Sequence, residues 1–190
     1  IGLWNFGVTS LDNTGNTWKA CKILCQCFPH ILNMQDTCHR LNLGIKAACL
    51  LPQFTEIISQ LHRILVFMSQ STYVTEHYNH EHSKIGITHG LEAIGDTRFE
   101  TIYWAGKSVQ RGLAAFQAIV ENKALGIDIA SLNDLFIPGG IRMKFELDLA
   151  RLLTVIGPYV KAIQCLEEGH VTHRRVYPIM PHKPNKCNHS

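Results

Sequence analysis

Asp12 is the first residue whose type and position could do chemistry. It follows Leu3 to Thr9, a stretch of aromatic and β-branched residues, and sits within the turn formers Ser10 to Asn16. That composition predicts a strand running out into a polar loop. A carboxylate just past the C-terminal end of a parallel strand stands where open α/β sheets hold their ligands. It could bind Mg²⁺, a hard cation that takes oxygen donors. Two such ions roughly 3.5–4 Å apart activate water and steady the leaving oxygen in phosphodiester cleavage. By position alone, a loop or helix-capping role is the commoner fate of such an aspartate. Arg98 could make a bidentate contact to a phosphate or a carboxylate, or stand solvated in the first turn of a helix with equal ease. Cys38 and His39 are neighbours without a second Cys or His at zinc-finger spacing, so they read as a buried thiol and a structural histidine. His77, His80 and His82, with Glu81 among them, do not share one helical face well and read as a solvated, polar helix end. Cys21, Cys25 and Cys27 include an i, i+4 pair, but the Ile and Leu around them argue for core packing. His182, Cys187 and His189 fall in a tail with three prolines and no periodicity, expected to be disordered.

The elements that must position these residues are mostly helical. After the first strand, Trp18, Cys21, Ile23, Leu24, Cys25 and Phe28 recur at helical spacing, with Asn16 or Thr17 as N-cap and Pro29 as stop. Ile31 to Met34 is a second short strand, and a strand, helix, strand order predicts that it pairs in parallel with the first. Helices are expected from Asp36 to a break at Pro52, from Phe54 to Met68, from a Thr97 cap through Ile119, and from Met143 to Leu166 with a kink at Gly157-Pro158. Tyr103, Trp104, Val109, Leu113, Phe116 and Ile119 form the expected buried stripe of the third. Gly86 to Gly95 reads as a connector and Pro138-Gly139-Gly140 as the clearest boundary. The fold class expected is α/β, predominantly helical, with one small parallel β unit at the N-terminus.

Composition limits the function. The chain has 190 residues, 46% of them hydrophobic, enough to bury a real core. Its 18 Lys plus Arg against 15 Asp plus Glu leave a net charge of +3, which argues against a self-sufficient nucleic-acid binder. Seven cysteines in apolar, helical surroundings suggest reduced thiols rather than a disulfide framework. The first residues carry no signal-peptide pattern. The most apolar local run, Ile64 to Met68, is far short of the roughly 20 residues that cross a bilayer. Nuclear or cytoplasmic residence and no membrane partner are the expectations.

Three blocks, in order, resemble the hAT superfamily of DNA transposases, in its fungal form. Gly7-Val8-Thr9-Ser10-Leu11-Asp12-Asn13-Thr14-Gly15-Asn16-Thr17 is similar to the segment carrying the second acid of the catalytic Asp-Asp-Glu triad, at the end of a ribonuclease-H-fold strand; Leu11 interrupts the family's usual Thr-Ser-Asp. Phe28 to Leu43 resembles the segment with the family's Cys-x-x-His pair, His39 falling on the histidine and Asp36 on the cysteine. Gly90 to Thr101 resembles the Arg-Trp motif, with Arg98 in place and Phe99 for the Trp. Arg111 and the stretch Pro158 to Glu168 look like the start of the all-helical insertion that interrupts the family's core. The likeness spans about Gly7 to Tyr177. It implies a partial ribonuclease-H-like core over residues 1–137, part of the helical insertion over 138–177 and a disordered tail over 178–190. It also implies Asp12 as catalytic residue and ligand of Mg²⁺ or Mn²⁺, Arg98 and His39 as DNA-binding or active-site support, and DNA as partner, with a homo-oligomer in view. The family's first Asp would lie upstream and its Glu downstream of the insertion, so Glu167 and Glu168 are not expected to act as that Glu. The expected function is a transposase fragment related to strand cleavage and transfer and inactive alone. The alternative is a domesticated or decayed remnant that binds protein through the apolar faces of the 54–68 and 145–166 helices.

Overall fold

The chain starts with β1 (Val8–Leu11), α1 (Gly15–Cys27) and β2 (Leu32–Gln35), and continues in helices. They are α2 (Thr37–Cys49), α3 (Pro52–Gln70), α4 (Thr72–Lys84), α5 (Thr101–Glu121) and α6 (Gly140–Gly169), with 3₁₀ turns at Lys123–Leu125 and Asn133–Leu135 between the last two. The computed structural model describes residues 7–11, 15–129 and 131–169. Asp12, Leu3 to Phe6 of the expected first strand, and the tail with His182, Cys187 and His189 lie outside the described residues.

The parallel β unit has the form expected from its order. β1 and β2 pair in register from Val8 opposite Leu32 to Leu11 opposite Gln35. α1 stops at Cys27, two residues before Pro29. One face of the sheet meets α1, where Thr9 Oγ1 lies 4.0 Å from Cys21 Sγ. On the other face Val8, Leu32 and Met34 are half-exposed or more. The stripe read for α1 is corrected: only Cys21 is buried, while Trp18 and Ile23 stand about half out in solvent. Helical period marks an apolar face, but only a partner layer buries it, and no element of the bundle is packed against this helix closely enough to do so.

Local chemistry sets the helix boundaries. Asp36 caps α2, its Oδ1 accepting from the N–H groups of Cys38 at 2.9 Å and His39 at 3.2 Å. Pro52 opens α3, where a missing N–H costs nothing. Ser71 closes α3 and caps α4 through Val74 N–H, and Thr75 Oγ1 donates to the Met68 carbonyl at 2.6 Å across that corner. α6 runs through Pro158 without ending; the proline only removes the N–H that would have met the Thr154 carbonyl.

α6 is the spine of the bundle, packing on α2, α3 and α5. Phe145, Leu149, Leu152, Leu153, Ile156, Val160 and Ile163 are buried along it. A Cβ on Gly44 would come to 3.0 Å from the Tyr159 ring, which shows how closely α2 and α6 approach. Lys144 Nζ donates to Glu56 Oε2 at 2.7 Å and ties the start of α6 to α3. By length and apolarity α6 could cross a bilayer, which the search for local apolar runs overlooked; its apolar stripe is spent in the core. The apolar faces named for the protein-binding alternative are turned inward, Phe54, Ile57, Leu61, Ile64 and Met68 of α3 facing the same interior as the α6 stripe.

Aromatic rings join the later helices. Tyr78 of α4 lies 4.6 Å from Phe116 of α5, Phe116 stacks on Phe136 at 4.6 Å, and Phe136 meets Phe145 of α6 edge-on at 6.4 Å. Gly112 leaves room for the Tyr78 hydroxyl, which a Cβ there would strike. That hydroxyl is buried and has no hydrogen-bond partner among the described residues. Gly112→Ala is therefore expected to destabilise by about 1–3 kcal/mol, the usual cost of overpacking. Tyr78→Phe should cost little and should relieve part of the loss in the double variant, because it removes the unpaired hydroxyl that the new Cβ would strike but leaves the ring carbon Cζ 2.9 Å from it. Urea unfolding of the three variants checks this; a double variant no more stable than Gly112→Ala would contradict it.

Candidate functional site

β1 and β2 run parallel, so both end at the same edge of the sheet, at Leu11 and Gln35. Asp36 follows Gln35 directly and opens α2, which puts His39 in the first helical turn. His39 is half-buried, and its backbone N–H is held by Asp36. Leu11 is part of the regular ladder opposite Gln35. It thus occupies the strand position that an uninterrupted Thr-Ser-Asp would give to the acid, and side chains on a strand change face at each residue. Asp12 itself lies outside the described residues.

Arg98 belongs to a turn before α5, which corrects the expected Thr97 cap: the helix begins at Thr101. Tertiary contacts override the local capping signal. Asn42 Nδ2 donates to the Thr97 carbonyl at 3.3 Å, and Asn42 Oδ1 accepts from the Phe99 N–H at 2.9 Å. Phe99 lies under Lys46 Nζ, 5.2 Å from the ring centroid. The Arg98 side chain is 69% exposed, with Glu100 Oε1 3.7 Å away. The expected burial along α5 holds for Val109, Leu113, Phe116 and Ile119, while Trp104 is only partly buried.

The first turn of α2 holds no acid of its own, but carboxylates from outside it act on Cys38. The Cys38 thiol is held above its ordinary value, first by burial and then by the charges of Asp36, Glu167 and Glu100. Glu100 precedes α5 and Glu167 ends α6, so three separated segments converge on this turn. It is a protonated thiol beside carboxylates, poorly suited to soft-metal ligation. Among the described residues no three of His, Cys, Asp and Glu stand together as a metal site, and Asp12, the ligand of Mg²⁺ or Mn²⁺ that the resemblance implies, lies outside them. Sequence reading missed Asn42, Glu100 and Glu167. A signal for Asn42 existed: asparagine is a poor residue for a helix interior, and it sits there between two leucines.

The histidine-rich stretch is α4, and its solvated reading is corrected for His82. That ring is buried and stacked 5.0 Å from Tyr78, with Nε2 lacking a partner. Val74, Tyr78 and His82 form one buried i, i+4, i+8 stripe, which the polar residues between them hid. Two clefts of about 350 and 390 Å³ flank this stripe beneath the 86–95 connector and meet at Asn79 and Gly90. Glu92 N–H donates to Ser108 Oγ at 3.0 Å and fastens the connector to α5. Burial raises the Tyr78 hydroxyl to about 12, with Arg111 opposing.

No protein-family model, curated protein or solved structure matches the chain.

Burial, and then the charge of Arg111, hold His82 below the ordinary histidine value. Unfolding returns it to that value, so the unfolded chain takes up a proton that the folded chain refuses. Stability should therefore be full above about pH 6.5 and fall as the pH drops through the ordinary histidine value toward the folded one. Urea unfolding between about pH 7.5 and 5 should show that slope, and His82→Leu should flatten it. A variant with the wild-type slope would mean that other groups carry the dependence.

Proposed function

We propose that this chain is part of the ribonuclease-H-like catalytic core of a hAT-type DNA transposase, related to metal-dependent strand cleavage and transfer and inactive by itself. The observation that supports this reading most is the order and direction of the first elements. β1 and β2 are parallel and end at one edge, Asp12 is the next residue in sequence after β1, and α2 places His39 in its first turn. The Arg98 turn is fastened to that same helix although more than fifty positions separate them. The two strands are also bare on one face, whereas parallel sheets are covered on both. Helices packed on that face would cover them, as in a ribonuclease-H-like core.

In this reading Asp12 is the catalytic carboxylate and metal ligand, Arg98 contacts a DNA phosphate, and His39 supports the turn from which α2 leaves the sheet. Mg²⁺ or Mn²⁺ would stabilise charge on the attacking and leaving oxygens. Only Asp12 matches one of the family's three acids, so no chemical step is assigned to this chain alone. DNA affinity is weak for an electrostatic reason: the +3 charge is small, and the exposed Arg98 has Glu100 beside it, with Asp36 and Glu167 acting on the neighbouring Cys38.

The purified 190-residue chain with Mg²⁺ or Mn²⁺ is expected to show no transposon-end cleavage and weak, sequence-independent DNA binding that fades as salt rises, because counterion release has few phosphates to act on. Gel-based cleavage assays and fluorescence anisotropy across a salt series test this. End cleavage abolished by Asp12→Ala would overturn the inactivity. A lack of any DNA binding at low salt would remove the DNA reading itself.

A further inference from the structure

Asn42 contributes a side-chain amide with both ends committed to one distant stretch of backbone, 55 and 57 positions away. Its two partners, the Thr97 carbonyl and the Phe99 N–H, are the backbone groups on either side of Arg98. With those flanks held, the chain makes i→i+3 turns at the Arg98, Phe99 and Glu100 carbonyls, and α5 begins only at Thr101. One turn further along α2, Lys46 covers the Phe99 ring. α2 therefore grips the residues before and after Arg98 and leaves the arginine itself projecting.

We propose that Asn42 is a positioning residue, which holds Arg98 at the start of α2 as the group that meets a DNA phosphate. This rests on the DNA reading above. An arginine on a free loop would lose backbone and side-chain freedom when it binds; a turn already fixed by two hydrogen bonds loses only the side-chain part. Asparagine suits this role because its amide offers a donor and an acceptor side by side, matching one carbonyl and one N–H. Leucine would fit the helix better and make neither bond.

The experiment uses the 190-residue chain and a fluorescently labelled duplex, with anisotropy measured across a NaCl series. Arg98→Ala should weaken binding at low salt on the order of fivefold to tenfold and lower the log–log salt slope by about 0.9, the signature of one lost phosphate contact. Asn42→Ala should weaken binding in the same direction, by no more than Arg98→Ala and with the salt slope largely kept, and the double variant should be no weaker than Arg98→Ala alone. Asn42→Asp keeps the acceptor for Phe99 N–H, loses the donor to Thr97 and should fall between. Hydrogen exchange gives a second readout: in Asn42→Ala the Phe99 amide should exchange faster while the buried centre of α5 keeps its protection. If Arg98→Ala matters and Asn42→Ala does not, or if their losses add, the positioning role is overturned and the DNA reading stands. If Arg98→Ala leaves both affinity and slope unchanged, the DNA role of Arg98 falls, and this inference falls with it.

Discussion

The bundle depends on one continuous run of aromatic contact, from Tyr78 through Phe116 and Phe136 to Phe145. These four rings come from α4, α5, the irregular stretch after Asn133–Leu135, and α6, elements that also pack on one another. Rings at such separations gain from their quadrupoles as well as from the area they remove from water. The stack also explains the small residue at Gly112 and the buried tyrosine hydroxyl without a partner: the ring is placed for its faces, and its polar end is accommodated. Arg142 completes the joint, donating to the Phe136 carbonyl at 3.0 Å and reaching Gln117 and Glu146 as well.

Much of this architecture was legible from pattern alone. The α3 and α6 stripes, the Pro52 and Ser71 boundaries and the parallel pairing of the two strands follow from period, punctuation and element order. Three features were not legible, each for a physical reason. Trp18 and Ile23 have helical spacing but no layer above them, since pattern records a face and never its partner. Val74, Tyr78 and His82 form a buried stripe too sparse to register against their polar neighbours, so α4 looked solvated. Thr97 has a capping side chain, yet Asn42 spends the adjacent backbone on a contact that no local window contains.

The candidate site was readable to a lesser degree. Arg98 and His39 stand out only through the resemblance to the transposase blocks, and both lie on or against α2. The carboxylates acting on that first turn could not be read, because Asp36, Glu100 and Glu167 come from three separate parts of the chain. Leu11 shows how a single residue matters: in a strand the side chains alternate, so one intervening residue changes which face the next one takes.

The β unit contributes none of the described residues of the hydrophobic core that α2 to α6 share, and it buries little beyond Cys21 and Ile31 of its own. A pair of short strands with one helix is marginal in water when it stands alone. The molecule thus comprises two cooperative units of unequal depth, and local opening of the first leaves the second intact. Urea unfolding is therefore expected to depart from a single two-state event, its main midpoint reporting on the helical bundle and little on the segment that leads into Asp12.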